Sequence, residues 1–393
     1  MTTSNLLLAS IGTVLTGSIE SPIEPADSIL VEDGRIAAVG TGLRAPLGVP
    51  VLDCGGATVL PGLIDNHVHP VFGDYTPRQS QSNYLEGFVH GGVTSAVSAG
   101  EVHLPGRPKD VASTKALALL ASSSFRNFRP SGLRVHGGAL MLEPGLQESD
   151  FEELAAAGVN LVGEIGISGV QDPEEAAQMT RWAQAVGMTV MVHVGGKSVP
   201  TSRTVDAAFC AAVRPDIAAH VNGGPTAPAL ADVERILDTT EASIEVVFNG
   251  NPRAAVDVTR LAIARNAVER LVLGTDSPAG AGIAPAGILR TMSLLCAMGG
   301  LPAPLAVACA TGNTARARRL DTGRLAVGAP ADLLVADTPD GSHAPDFSSA
   351  LETGDTPAVA AVVIGGELVV TRSRNTAPPK RTSQLGSGVL TAY

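Results

Sequence analysis

Apolar residues follow two patterns that divide the chain into β-rich ends and an alternating middle. Between Asp27 and Gly40, two apolar strand-like runs flank a Glu-Asp-Gly turn, which predicts a hairpin. Val362–Val370 shows the same pattern around a Gly-Gly turn. We therefore predict one small composite β domain built from residues 1–60 and 321–375. Residues 376–393 are expected to be a polar C-terminal tail that covers a surface or is disordered.

In the middle, residues 61–320, short apolar runs alternate with Ala-rich amphipathic stretches such as 173–186. Alternation of strands and helices predicts a parallel sheet covered on both faces. Eight such runs over about 260 residues match a (β/α)8 TIM barrel, and a doubly wound sheet is the alternative. The predicted strands are Gly62–His67, Thr94–Ser98, Arg134–Gly137, Asn160–Glu164, Thr189–His193, Ile217–His220, Ile244–Asn249 and Leu271–Asp276.

Charge and composition narrow the class of protein. The net charge of −11 and the lack of a Lys/Arg run disfavour binding to nucleic acid or to acidic membranes. The sequence contains no apolar run long enough to span a bilayer and no signal-peptide pattern at its start. Its four cysteines are far apart and form no C-x-x-C pair, so we expect reduced thiols. These features indicate a soluble, cytoplasmic protein.

The first candidate for chemistry is the sequence Asp65-Asn-His67-Val-His69. Residues i and i+2 of a strand point to the same side, so the two imidazoles could converge on one metal ion. They follow the first barrel strand directly, and barrel active sites lie at the C-terminal ends of the strands. The alternative is a pair of polar histidines on a loop.

Glu164, His193, His220 and Asp276 occupy equivalent places, each after an apolar run and before Gly or Pro. Taken singly, the glutamate could pair with an arginine, and each histidine could be hydrogen-bonded in the core. Asp276 could cap a turn. Their recurrence at successive strand ends predicts instead that all four join the histidine pair in one metal site.

These residues, in this order, resemble the amidohydrolase superfamily. Pro61–His69 is similar to its first-strand motif, and the paired terminal β segments are similar to its composite β domain. Many dinuclear members carry a carboxylated lysine where this chain has Glu164. Lys197 lies beyond its strand end and is not expected to replace that lysine.

A glutamate at this position is shared with a smaller subset of the superfamily. Within that subset, the chain resembles the enamidase branch, the cyclic enamide hydrolases of nicotinate degradation. The supporting segments are distributed over the chain, and the barrel fold itself requires few of them. They are residues 73–79, 103–110, 135–138, 163–166, 220–226 and 371–376.

The resemblance implies two divalent metal ions, zinc or iron or both, and a homo-oligomer such as a tetramer. Imidazole suits both metals, so spacing does not choose between them. One ion would be held by His67, His69 and Asp276, the other by His193 and His220, with Glu164 bridging.

The implied reaction is hydrolysis of a cyclic amide C–N bond, in 6-oxo-1,4,5,6-tetrahydronicotinate or a related carboxylated lactam. Asp276 would act as general base and then as general acid. Arg107 and Lys109 are the expected partners of the substrate carboxylate, because arginine binds a carboxylate bidentately. All expected substrate contacts lie in segments that follow barrel strands. They are Tyr75, His103, Arg107, Lys109, His136 and Asn222.

Other members of the superfamily are the alternatives: an imidazolonepropionase-like ring opener, a dipeptidase or a deaminase. The Val-Gly-Gly-Lys that follows His193 disfavours a deaminase, which has a glutamate base near this histidine. A non-catalytic scaffold relative is the remote alternative, and the full ligand set argues against it.

Overall fold

The computed structural model describes residues 4–70, 78–100, 107–224, 226–278 and 282–386, with the backbone alone for residues 78–83. The strands are β1 (Leu6–Ala9), β2 (Thr13–Leu15), β3 (Ile23–Glu24), β4 (Ser28–Glu32), β5 (Arg35–Gly40), β6 (Val51–Asp53), β7 (Thr58–Pro61), β8 (Leu63–Val68), β9 (Val93–Ser98), β10 (Arg134–His136), β11 (Leu161–Ile165), β12 (Thr189–His193), β13 (Ile217–Ala219), β14 (Ser243–Val247), β15 (Leu271–Gly274), β16 (Leu333–Asp337), β17 (Ala358–Ile364), β18 (Glu367–Val370) and β19 (Gln384–Gly386). The helices are α1 (Arg78–His90), α2 (Val111–Asn127), α3 (Glu148–Ala156), α4 (Pro173–Ala185), α5 (Ala207–Val213), α6 (Leu230–Thr239), α7 (Pro252–Ala264), α8 (Gly287–Ala297), α9 (Ala303–Ala310), α10 (Gly312–Arg318) and α11 (Phe347–Thr353).

Strands β8 to β15 form the predicted parallel barrel, and each has bounds within two residues of those predicted. They pair in chain order in two groups, β8 to β10 and β11 to β15. Backbone hydrogen bonds close the ring between the groups, from Leu140 N to Leu161 O at 2.9 Å and from Asp276 N to His67 O at 2.9 Å. The strand ends therefore meet at one face of the barrel, as an active site there requires.

Both ends of the chain build the β domain, which contains two sheets. One has the strand order β19-β6-β1-β4-β5 and the other β18-β17-β16-β7-β2-β3. Its two predicted hairpins are present, and their turn residues have positive φ, at Asp33-Gly34 and at Gly365-Gly366. Two consecutive residues with φ above zero are typical of the type I′ turn, which suits the twist of paired strands. Strand β19, within residues 376–393, pairs with β6.

The β domain joins the barrel without a flexible linker. Strand β7 runs into β8 through Gly62, whose backbone N–H donates to Asp332 O at 2.8 Å. Phe347 and Leu351 of α11 are buried in the barrel's hydrophobic core. The four cysteines are buried and unpaired, as expected of reduced thiols. Each helix within the described residues is too short or too polar to cross a bilayer.

Candidate metal centre

Two groups of metal-ligating side chains lie at the C-terminal ends of barrel strands. His67, His69 and Asp276 form the first group, and Glu164, His193 and His220 form the second. Within each group, one ligand atom of every residue lies within 4.8 Å of the others. The structure therefore brings together all six residues that the strand-end pattern selected.

The first group has the spacing of a tetrahedral site. His67 Nε2 and His69 Nε2 are 3.2 Å apart, and Asp276 Oδ1 lies 3.4 and 3.2 Å from them. Glu164 Oε2 lies 3.6 Å from each of the two nitrogens. Four ligand atoms at about 2.0–2.1 Å from a shared zinc ion would be separated by about 3.3–3.4 Å. These residues therefore fit a divalent metal ion.

Glu164 belongs to the second group and also reaches the first. One of its carboxylate oxygens faces the histidines of each group. Its Oε1 is 3.1 Å from His193 Nδ1 and 2.8 Å from His220 Nε2, while its Oε2 is directed towards His67 and His69. The two nitrogens of the second group are 2.9 Å apart. One carboxylate that serves two imidazole pairs is the arrangement expected of a bridging ligand.

Hydrogen bonds at the far ring nitrogens fix the orientation of three ligand histidines. His67 Nδ1 lies 2.7 Å from Glu245 Oε2, and His69 Nδ1 lies 3.2 Å from Gly100 O. His193 uses Nε2, which lies 3.0 Å from Ser198 Oγ. Partners of this kind set the tautomer of a ligand histidine and raise its basicity.

The site concentrates buried carboxylates, which need compensating positive charge. Burial opposes ionisation of Glu164, yet the charge of His67 and hydrogen bonds from three histidines hold its pKa well below the ordinary value. The pKa of Asp276 is also lowered, against the effect of burial, chiefly by His67. Burial disfavours the charged form of His67, but Glu245, Asp276 and Glu164 together raise its pKa well above the usual value. Ionised carboxylates are the form that binds a divalent cation.

His220 and Asp276 both have a backbone conformation that L-residues rarely adopt. Their φ angles are +33° and +56°. Such conformations cost about 1–3 kcal/mol each and persist where the surrounding structure enforces them, often at functional sites. Here each directs a ligand side chain out of its strand end and into the centre.

A cavity of about 390 Å3 opens over the two groups. Loops after β12, β13 and β14 supply most of its walls, including Lys197, Ser198, Thr226 and Asn249. Apart from the histidines, Lys197 is the one cationic side chain among the described lining residues. It is exposed, and it forms no hydrogen bond or ion pair within the described residues. The cavity can hold a small molecule against the ligand set and beside a free ammonium group.

The structure does not bring the predicted carboxylate partners to this cavity. Arg107 Nη2 instead donates to Glu143 Oε1 at 2.8 Å and to Ser168 Oγ at 2.9 Å, and this guanidinium is largely buried. Lys109 is exposed and is not among the lining residues. An arginine already paired in this way is unsuited to hold a substrate carboxylate.

The other predicted substrate contacts within the described residues also lie away from this cavity or serve another role. His136 lines a different cavity, at the start of β11 and β12. The Asn222 amide accepts from Val247 N at 2.8 Å and donates to Val247 O at 2.9 Å, so it joins two strand ends. Tyr75 and His103 lie outside the described residues.

Sequence reasoning missed Glu245, which lies on β14 and is fully buried. Its carboxylate contacts the ring of His67. It also accepts hydrogen bonds from Asn66 Nδ2 at 2.5 Å and from the backbone N–H of His220 at 3.0 Å. The signal was present as one acidic residue in the apolar run Ile244–Asn249. A carboxylate inside a barrel strand needs partners in the barrel interior, because burying a charge alone is costly.

Glu245→Gln is expected to lower metal affinity about 10- to 100-fold, because the ring of His67 would lose its ionised partner. The measurement is metal content per chain after dialysis against buffered zinc. Glu241→Gln, an acid outside this network, is the matched control and should keep full metal content. Equal metal affinity in both variants would show that Glu245 does not support the site.

The sequence profile of the Amidohydrolase family matches residues 58–369. This covers most of the chain, which therefore belongs to the amidohydrolase family, and the predicted membership is confirmed.

Similarities to individual proteins are consistent with membership of this family. The chain is 46% identical to an enamidase of Eubacterium barkeri, over 97% of this chain and 100% of the relative. It is 27% identical to an imidazolonepropionase of Mycolicibacterium smegmatis, over 93% of this chain and 98% of the relative. A crystal structure of enamidase matches with a TM-score of 0.94 at 45% identity, over 97% of this chain and 100% of that chain.

Proposed function

We propose that the chain is a dinuclear metal-dependent hydrolase that opens the C–N bond of a cyclic amide. The single observation that carries this is the pair of ligand groups that share Glu164 beneath one cavity. The near full-length similarity to an enamidase supports the cyclic amide as substrate class. The proposed substrate is 6-oxo-1,4,5,6-tetrahydronicotinate or a related carboxylated lactam.

In this proposal His67, His69 and Asp276 hold one ion, His193 and His220 hold the other, and Glu164 contacts both. Zinc and iron are the proposed metals, since both accept imidazole and carboxylate ligands. When bound, such ions lower the pKa of water towards about 7 and polarise a carbonyl group.

Asp276 is the proposed proton carrier. Its carboxylate is held ionised at the boundary between the ligand set and the cavity, with 17% of the side chain exposed. It can take a proton from the attacking water and deliver it to the departing ring nitrogen. The water oxygen bonds to the amide carbon, the C–N bond breaks, and the nitrogen leaves protonated. An enamine released in this way can tautomerise to an imine and then hydrolyse.

Lys197 replaces Arg107 and Lys109 as the proposed partner of the substrate carboxylate. Its ammonium group is unpaired within the described residues and lines the cavity that holds the ligand set. The loop that carries it is anchored by Gly195 N, which donates to Val205 O at 2.9 Å, and by Gly196 N, which donates to Thr226 O at 2.8 Å. In a protein of net charge −11, a local cation is needed to attract an anionic substrate.

A hydrolysis screen tests the proposed reaction. The metal-loaded protein is assayed on six-membered lactams with and without a ring carboxylate and a ring C=C bond. We expect the lactam that carries both groups to be opened with the highest kcat/KM. Turnover of imidazolonepropionate, with no opening of the six-membered lactams, would instead assign to this chain the activity for which the second relative is named.

Metal removal gives an independent check. Dialysis against a chelator should abolish lactam hydrolysis and lower the thermal unfolding midpoint, because a ligand that binds only the folded state stabilises it. Re-addition of zinc or ferrous iron should restore both, with two ions per chain by elemental analysis. Full activity of metal-free protein would contradict the proposal.

We also propose, from the similarity to the enamidase branch, that the protein is a cytoplasmic homo-oligomer. Light scattering on the purified holoenzyme measures the number of subunits directly. A monomer at micromolar concentration would contradict this proposal.

A further inference from the structure

A second cavity lies at the N-terminal ends of barrel strands, away from the metal centre. Its volume is about 470 Å3, and it is lined by Leu161 and Thr189, the first residues of β11 and β12. His136 of β10 and Arg318, the last residue of α10, also line it. The described lining shares no residue with the cavity over the metal ligands.

Three buried polar atoms on the lining residues have no hydrogen-bond partner within the described chain. They are His136 Nε2, Thr189 Oγ1 and Arg318 Nη1. Thr189 and Arg318 are only 2% and 4% exposed. Buried polar groups are normally paired, because an unpaired one costs about 1–3 kcal/mol. Three unpaired polar atoms on the residues around one cavity indicate that a polar ligand occupies it.

The lining is cationic. Arg126, Arg318 and Arg319 contribute to it, although Arg319 also pairs with Asp216 at 3.2 Å. The described lining residues include no aspartate or glutamate. Arg318 is buried, and burial lowers its pKa to about 10. Its guanidinium donates to Asn66 Oδ1 at 2.5 Å and to Asn66 O at 2.9 Å, and within the described residues it forms no ion pair. The negative charge of Glu245 acts on this guanidinium, but Nη1 has no hydrogen-bond partner within the described residues, and an anion in the cavity would supply one.

We propose that this cavity binds a small oxyanion with the chemistry of sulfate, phosphate or a carboxylate. Its oxygens would accept hydrogen bonds from Arg318 Nη1, Thr189 Oγ1 and the His136 ring. Arg318 would use Nη1, because its Nε and Nη2 already donate to Asn66. Burial, followed by nearby arginines, lowers the pKa of His136 to about 4, so the ring is neutral and donates from one nitrogen only.

Arg318 is unsuitable as the test residue because it is connected to the metal centre. Its Nε bonds to Asn66 Oδ1, Asn66 Nδ2 donates to Glu245 Oε1 at 2.5 Å, and Glu245 also holds His67. Replacing Arg318 would therefore disturb a metal ligand as well as the anion. Thr189 and His136 offer cleaner variants, since neither bonds to a ligand residue in the described structure.

The experiment is calorimetric titration of the metal-loaded protein with sodium sulfate, with sodium chloride keeping the ionic strength constant. Thr189→Val and His136→Phe remove one proposed hydrogen bond each. Thr180→Val, which removes another buried unpartnered hydroxyl on α4 outside this cavity, is the matched control. Circular dichroism checks the fold of each variant.

We expect one sulfate per chain in the wild type and in Thr180→Val, with a higher thermal unfolding midpoint when sulfate is bound. The Kd should rise about 10- to 100-fold in Thr189→Val, the usual effect of losing a hydrogen bond to a charged group. The Kd should rise in His136→Phe as well. No sulfate binding to the wild type would mean that ordered water satisfies these atoms, and it would overturn the proposal. Binding that is unchanged in both variants would place the anion elsewhere, for example at the metals, and would overturn it too.

Discussion

Asp276→Asn is expected to lower kcat for lactam hydrolysis by about 100- to 10,000-fold, the usual contribution of a positioned general acid or base. An amide has no ionisable oxygen, so it cannot accept the proton of the attacking water or pass it to the ring nitrogen. The variant keeps an oxygen near His67 and His69, so part of the metal should remain bound. The measurements are kcat with one fixed lactam and metal content per chain.

Asp257→Asn is the matched control, because Asp257 is an aspartate on α7 that pairs only with Arg253 in the described structure. Its kcat should equal that of the wild type. Turnover in Asp276→Asn above a tenth of the wild-type value, with both metals present, would rule out the proton-transfer role. Loss of both metals together with turnover would assign Asp276 to metal binding alone.

The six proposed ligands could be predicted because parallel strands impose a shared geometry. Their carboxyl ends meet on one face, so a ligand after each apolar run is placed near the others whatever the loops do. His67 and His69 needed only the two-residue repeat of a strand. The left-handed conformations at His220 and Asp276 were not predictable, since neither residue is a glycine.

The side chains that line the cavity could not be predicted, because their positions depend on hydrogen bonds between residues far apart in the sequence. Arg107 is bound to Glu143 and Ser168, which lie 36 and 61 positions further along the chain. Lys197 lies at the cavity because the backbone N–H of Gly196 donates a hydrogen bond to Thr226 O, in the loop after β13. No local pattern of apolar and polar residues encodes such pairs.

His136 shows how strand register changes an interpretation. It ends a short apolar run, as the ligands do, and this suggested the same face of the barrel. The chain continues through Gly138, whose φ is +80°, to Leu140, and only there does it pair with Val162 of β11. His136 therefore lies before that pairing begins, at the opposite end of the barrel strands. The stagger between neighbouring strands of a barrel sets this level, and apolar periodicity carries no information about it.

Lys197→Met is expected to raise KM for a carboxylated lactam about 10-fold and to leave kcat nearly unchanged. Methionine keeps much of the length of the side chain and removes its charge, so the substrate carboxylate would lose a charge-assisted hydrogen bond of about 1.5–3 kcal/mol. Because the cavity is open to solvent, we expect the lower end of that range. An effect on KM alone indicates binding that is equal in the ground state and the transition state.

The substrate without a carboxylate separates this role from a general effect on the site. Its KM should be the same for wild type and Lys197→Met, since a neutral lactam never used the ammonium group. Lys109→Met is the matched control, because that lysine is exposed and does not line the cavity. A higher KM for both lactams would mean that the substitution distorts the loop after β12. An unchanged KM for the carboxylated lactam would exclude Lys197 while leaving the hydrolase proposal intact, since ring opening itself would persist.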